Sequence, residues 1–389
     1  MTELQQKKYQ SESLSLLANI RDDIPAGIAV FLVSVPLSLG IALASGAPLF
    51  AGLITGIVGG LVVAPLSGSA LGISGTAAGL SLIVLPAIQS LGFNGFLLAA
   101  IFAGVLQIIM GLMRAGVIAY YFPSSVTSGM LTGIGIIVFL KQIPHAIGYD
   151  KDYEGDFDFA QADNYSSFSE LFHMLGSLQL SAVLISIISL SIIMLWERPV
   201  IQQRKYLPLL QAPLMTVLVA VLINEFLGQF YPELALGGNH LVAIPVVQDI
   251  PSLLQQLHFP DFTQRANLQV YGVGITLAIV ASVETLLSVE AVDKLDPYKR
   301  VTPSDRELIA QGVGNICSAL LGGLPMTQVI VRSSINVQSN AKTKLAAIVN
   351  GLLLLAAILL VVGYKLATRT AFKALYQSGP YRSPPFVPQ

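Results

Sequence analysis

The residues of this chain that could do chemistry stand where its sequence is most apolar. Gly322-Gly323-Leu324-Pro325-Met326-Thr327-Gln328-Val329-Ile330-Val331-Arg332-Ser333 brings glycines, a proline, an amide, hydroxyls and a full positive charge into a strongly hydrophobic region. A helix running from Thr327 to Gln338 has twelve residues, about 18 Å at the α-helical rise. A bilayer core needs about 30 Å. The spacing therefore predicts a half-helix whose irregular start lies at membrane depth, where non-helical backbone survives only when protein buries it or it lines a wet cavity. Such a start aims unpaired N–H groups and a partial positive charge at whatever precedes it. With Arg332 five residues in, that chemistry is anion binding.

A second break of the same kind is Ser67-Gly68-Ser69-Ala70-Leu71-Gly72-Ile73-Ser74-Gly75-Thr76-Ala77-Ala78-Gly79. The helix expected after it, residues 76–91, reaches only about 24 Å. Two short, interrupted segments in corresponding positions of two halves point to the midplane site of a transporter. The plainer reading is two glycine kinks packed between helices. Glu284 is a carboxylate inside an otherwise apolar span, which makes a functional role its default assignment. Ser288 lies four residues on, on the same helical face.

The elements that must position these residues follow from composition. The chain has 389 residues, 54% hydrophobic and 11% charged, with mean hydropathy +0.71; soluble domains carry about 25% charged residues. It reads as an all-α polytopic membrane protein, and the alternation of an outer-membrane barrel is absent. A net charge of −1 without a basic cluster gives no sign of a nucleic-acid partner. The single cysteine, Cys317, excludes an internal disulfide framework and reads as a small buried residue. His145, His173, His240 and His258 fall in loops without ligand spacing, so no metal site is expected. No intramembrane catalytic set of His, Cys or paired acids is evident, and an enzyme is not expected.

Apolar runs place eleven spans, at about 24–45, 49–66, 76–91, 95–113, 126–139, 180–196, 207–227, 270–289, 308–321, 327–338 and 345–364. Residues 11–20 suggest an interfacial amphipathic helix, and no cleavable signal precedes the first span. The stretch 141–179 is acidic; its spacing loosely resembles a calcium loop, but its glycine and final glutamate are misplaced, so a solvated loop is the reading. With a cytoplasmic N-terminus, Arg114, the 198–205 group, the 294–306 group, Lys342 and Lys344 all fall inside, as lysine and arginine bias requires.

Val35-Pro36-Leu37-Ser38-Leu39-Gly40-Ile41-Ala42, Gly68-Ser69, Ser74-Gly75-Thr76-Ala77-Ala78-Gly79, Glu284-Thr285-Leu286-Leu287-Ser288, Pro325-Met326-Thr327 with Val331-Arg332-Ser333, and Ala341-Lys342-Thr343-Lys344-Leu345 together resemble the sulfate permease (SulP) family over roughly residues 20–365. That family includes bacterial sulfate and bicarbonate transporters and the mammalian motor protein prestin. The resemblance implies a seven-plus-seven inverted-repeat (UraA-like) fold of core and gate with elevator-type alternating access, in a homodimer in the bacterial inner membrane. On that scheme 1–23 is a cytoplasmic segment, 24–116 core helices one to four, 117–228 gate helices five to seven, and 229–268 an extracytoplasmic loop. Residues 269–341 are then core helices eight to ten, 342–365 a fused last span, and 366–389 a tail.

The resemblance also assigns sites. An inorganic anion, bicarbonate or sulfate, is expected at Ser74, Gly75, Thr76, Ala77, Met326, Thr327 and Arg332. A coupling ion is expected at Glu284, Ser288, Pro325 and Thr327, matching sodium-coupled relatives with Glu in place of Asp. Sodium, a proton, or a structural hydrogen bond would each use that carboxylate; no cofactor beyond such a sodium ion is expected. Arg332 supplies field to the anion or braces Glu284 and the helix ends. Two departures bear on the pocket. Val331-Arg332-Ser333 lacks one hydroxyl of the Ser-Arg-Ser seen in eukaryotic relatives, and Gly75-Thr76 replaces a common Gly-Pro.

The end of the sequence departs further. Residues 351–355 resemble an eleventh helix and 356–365 a twelfth, joined without the loop between them. Lys342 and Lys344 before that run, and Lys365, Arg369 and Lys373 after it, ask both flanks to be cytoplasmic. The expectation is a chain shortened at its C-terminal end, lacking part of the second gate half and the STAS domain many members carry. A secondary anion transporter leads; a non-transporting remnant or assembly partner is the alternative. A nucleobase permease of related fold would want a second carboxylate in the tenth span, which this chain lacks.

Overall fold

The computed structural model describes residues 19–117, scattered positions between 129 and 144, 146–149, 179–196 with 198, 212–236 and 256–359. The predicted amphipathic helix before residue 19, most of the fifth span, the acidic loop and everything after 359 lie outside the described residues. Nine helices and two short strands are named here, in chain order. They are α1 (Ile20–Ala44), α2 (Leu49–Leu66), β1 (Ser74–Thr76), α3 (Ser81–Leu112), α4 (Leu180–Trp196) and α5 (Ala212–Phe230). Then come α6 (Leu268–Leu295), α7 (Ser304–Leu320), β2 (Met326–Gln328), α8 (Ile330–Gln338) and α9 (Leu345–Leu359). Four of them, α1, α2, α6 and α3 with its entry turn, are long and apolar enough to cross a membrane.

The backbone follows its special residues. A π-helical turn at Gly59–Val63 interrupts α2. A 3-10 turn at Ala78–Leu80 leads into α3, and Gly92, at φ 70°, breaks α3 into the two spans the sequence separates there. Long helices pack on small residues: a Cβ added to Gly104 of α3 would come within 2.7 Å of the Gly312 carbonyl of α7. Without side chains at that crossing, two backbones approach closely, which is how helices associate in lipid. α3 packs along α7 and α6, α1 along α2, and α4 against α5.

Hydrogen bonds sort the helix ends onto two faces. On one, Asp23 at the start of α1 accepts from the Lys342 and Thr343 N–H groups, at 2.7 and 3.1 Å, and from the Thr343 hydroxyl. Lys342 pairs with Asp22 at 2.6 Å, and that bond raises its ammonium above the usual pKa. Arg300 bonds Asp296 and the Lys342 carbonyl, Arg306 the Leu66 carbonyl, and Lys344 the Ser67 carbonyl. On the other face, the N–H of Asp261 reaches the Asn94 carbonyl at 3.0 Å, and Gly322 abuts the His258 backbone. Between these two sets of contacts the chain runs in opposite directions through the two interrupted segments.

The structure corrects two expectations. The helix predicted over 327–338 begins at Ile330 and has nine residues, about 14 Å. Likewise the helix predicted from Thr76 begins only after Ala77. Ser74–Thr76 and Met326–Gln328 are instead antiparallel strands, in register Ser74 with Gln328, Gly75 with Thr327 and Thr76 with Met326. The fold is helical, with one short two-stranded pairing where the two interrupted segments meet. Buried backbone at membrane depth needs internal partners; each interrupted segment supplies them to the other.

Candidate functional site

The strand pair brings the two sequence breaks together. Its backbone is clamped from three sides by side chains. Asn315 of α7 binds both polar groups of Met326: its Oδ1 accepts the N–H at 2.6 Å and its Nδ2 donates to the carbonyl at 3.2 Å. Thr55 of α2 accepts the Leu324 N–H at 2.7 Å, and Ser318 donates to the Leu324 carbonyl at 2.8 Å. Ser333 of α8 accepts the Ile73 N–H at 2.9 Å, while Val329 N–H bonds the Ile73 carbonyl at 2.9 Å. The two half-helices therefore start from one crossing whose backbone is held by side chains of α2, α7 and α8.

Arg332, on the first turn of α8, is fully buried. Its Nη2 donates to Thr76 Oγ1 at 2.8 Å and to Ser38 Oγ of α1 at 3.1 Å. Its Nε and Nη1 have no partner, and no carboxylate among the described residues lies within 4.0 Å of it. A guanidinium stays charged in proteins, and a buried charge without a counter-ion is expensive. Three N–H donors thus remain for a ligand that accepts only. Of the bracing alternatives, a brace on Glu284 has no ion pair among the described residues, while the bonds to Ser38 and Thr76 do tie α1 to the strand pair.

Gly75 makes room for this guanidinium: a Cβ there would fall on Arg332 Nη1. In Gly75→Ala the arginine head must move and strain its bonds to Thr76 and Ser38. Hydrogen bonds from a charged group are worth about 1.5–3 kcal/mol. If Arg332 holds an anion, this variant should fold and lose about tenfold in anion affinity, read as a raised KM for uptake at unchanged surface expression. An unchanged KM would show that the guanidinium position is not what holds the anion.

The other predicted residues are placed as follows. Ser74, Thr76, Ala77, Met326, Thr327 and Ser288 are all buried, as is Pro325. Met326 spends both backbone groups on Asn315, so it shapes the crossing rather than offering an N–H. Glu284 of α6 points at the start of α3, where a Cβ on Gly79 would lie 3.4 Å from its Oε2. It also neighbours the fully buried Thr327 side chain. A carboxylate and a hydroxyl side by side are the kind of oxygen ligands a small cation takes.

Sequence reasoning missed the supporting polar seam of α7. Glu307, Gln311, Asn315 and Ser318 recur at spacings of four, four and three and are all buried. That is one helix face. Gln107 of α3 extends it, accepting from Asn315 Nδ2 at 2.7 Å and reaching Ser282 of α6 at 3.4 Å. The period was visible, but inside a span counted as apolar it carried no flag.

Comparison with known proteins gives the family and the fold. The profile of the Sulfate permease family matches residues 20–369. The putative sulfate transporter YvdB of Bacillus subtilis is 26% identical over 350 residues, covering 90% of this chain and 61% of that protein. The bicarbonate transporter BicA of a Picosynechococcus is 26% identical over 351 residues, 88% of this chain and 57% of that protein. The chain thus spans about three fifths of the length of these curated relatives. Among solved structures, the transmembrane domain of a cyanobacterial BicA superposes with TM-score 0.60 at 22% identity, covering 90% of this chain and 84% of that one. SLC26A9 superposes with TM-score 0.56 at 16% identity, covering 97% and 64%.

Proposed function

The chain belongs to the sulfate permease family, and on that premise we propose that it is a secondary transporter of a small inorganic anion. Bicarbonate and sulfate are the candidates, the substrates named for the relatives it resembles. One observation carries this reading. Arg332 is buried, charged and short of partners at the crossing where both half-helices begin. Helix starts and a guanidinium together are anion chemistry, and they read charge rather than one oxyanion.

In this reading the crossing, α1 to α3 and α6 to α8 form a core that carries the anion, and α4 and α5 belong to the gate against which it slides. Glu284, Ser288, Thr327 and the Pro325 backbone hold the coupling ion, sodium or a proton. The face bearing Arg300, Arg306, Lys342 and Lys344 is cytoplasmic by the positive-inside rule, which puts the start of α1 inside. The seven-plus-seven repeat and a homodimer in the bacterial inner membrane complete the proposal.

Uptake of labelled bicarbonate and of labelled sulfate into proteoliposomes tests it, with sodium and proton gradients imposed separately. Gradient-dependent uptake of either anion is the expected result. No uptake from protein that is inserted and folded would overturn transport and leave a non-transporting family member.

A further inference from the structure

The anion site that the sequence implies includes Ser74, but nothing in it says what sets the Ser74 hydroxyl. That hydroxyl is held from behind, by two residues of the α7 seam outside both proposed sites. Gln311 Nε2 donates to Ser74 Oγ at 2.6 Å and to Glu307 Oε1 at 2.9 Å. Glu307 is fully buried, and its other oxygen accepts from the Ser67 hydroxyl and from the Gly68 N–H at 3.3 Å. Gln311 Oε1 has no partner.

The donor and acceptor inventory then fixes a direction. An ionised carboxylate only accepts. The amide of Gln311 must turn its NH2, not its oxygen, toward Glu307. The second hydrogen of that NH2 goes to Ser74 Oγ. A serine oxygen that accepts from the amide keeps its own proton for another partner. So a carboxylate relayed through one amide occupies one lone pair of Ser74 Oγ and leaves its proton free to be donated to a ligand. A free O–H donor suits an anion.

Resting on the anion reading above, we infer that Glu307 and Gln311 are positioning residues that preset Ser74 as a hydrogen-bond donor to the transported anion. Neither touches the ligand. Their effect passes through the serine hydroxyl and should vanish when that hydroxyl is absent. Burial makes the relay rigid: hydrogen bonds in a low-dielectric interior polarise one another, and reversing an amide against a carboxylate would leave two acceptors face to face.

The test is a double-mutant cycle on the full chain in detergent, reading the dissociation constants of labelled sulfate and labelled bicarbonate directly. Glu307→Gln lets the Gln311 amide turn either way and should weaken binding of the better anion about threefold to tenfold. Ser74→Ala should weaken it by a similar factor. In the Ser74→Ala background, Glu307→Gln should change affinity no further. Gln311→Met, which keeps volume and removes the relay, should repeat that pattern and serves if Glu307→Gln fails to fold. Additive losses in the cycle, or unaltered affinity in both relay variants, would overturn the inference while leaving the anion site intact. Wild-type protein that binds neither anion would overturn the anion reading and this inference together.

Discussion

Replacing Arg332 by alanine is expected to raise the dissociation constant for bicarbonate or sulfate about a hundredfold. Truncating one partner of a buried, hydrogen-bonded charge pair costs about 2–5 kcal/mol, and each 1.4 kcal/mol is a factor of ten. The guanidinium is fully buried, so little solvent screens its field. Its two used hydrogens hold Thr76 and Ser38, so the variant loses both the charge and the link between α1 and the strand pair. Arg332→Lys separates these effects. It keeps the charge but, as a compact ammonium on a flexible stem, cannot fork to both hydroxyls; a loss of about tenfold is expected. Binding to purified protein, with helicity and monodispersity compared to wild type, is the measurement. Affinity unchanged in a folded Arg332→Ala protein would remove Arg332 from the anion site.

What could be read from the sequence followed from physics that sequence expresses directly. Apolar length pointed to the long helices, four of which among the described residues can cross a membrane, and glycine, proline and hydroxyl residues at Ser67–Gly79 and Gly322–Thr327 marked the two interruptions. A lone arginine and a lone carboxylate in apolar surroundings pointed to the candidate site. The strand pairing was not legible. Ser-Gly-Thr and Met-Thr-Gln carry no three-residue strand signal, and the partner of each lies some 250 positions away, so only the tertiary crossing decides between helix start and strand. The positioning partners were hidden differently. Ser38 looks like any small residue of a membrane helix until Arg332 reaches it, and Asn315 shows its purpose only when the Met326 backbone arrives. Glu307 stands at the start of a helix, where a solvated acidic residue is commonplace; its burial against Ser67 and Gly68 comes from the packing of α7 on the end of α2.

Glu284→Gln is expected to uncouple transport. Anion flux down its own gradient should persist, while accumulation driven by an imposed sodium or proton gradient should fall more than tenfold. The carboxylate sits on α6 one turn before the buried Ser288, against the start of α3 and beside the buried Thr327 hydroxyl. Glutamine keeps the size and the hydrogen-bonding oxygen but has neither the negative charge that would hold sodium nor the site that would take up a proton. Both coupling schemes therefore predict loss, and the wild-type response to each gradient tells which ion is used. Glu284→Asp keeps the charge on a shorter stem and should retain gradient dependence with a raised requirement for the coupling ion. A third role, in which Glu284 only hydrogen-bonds across the crossing, makes the opposite forecast. Glutamine can still make such a bond, so the variant would accumulate anion like wild type, and that result would sink the coupling role.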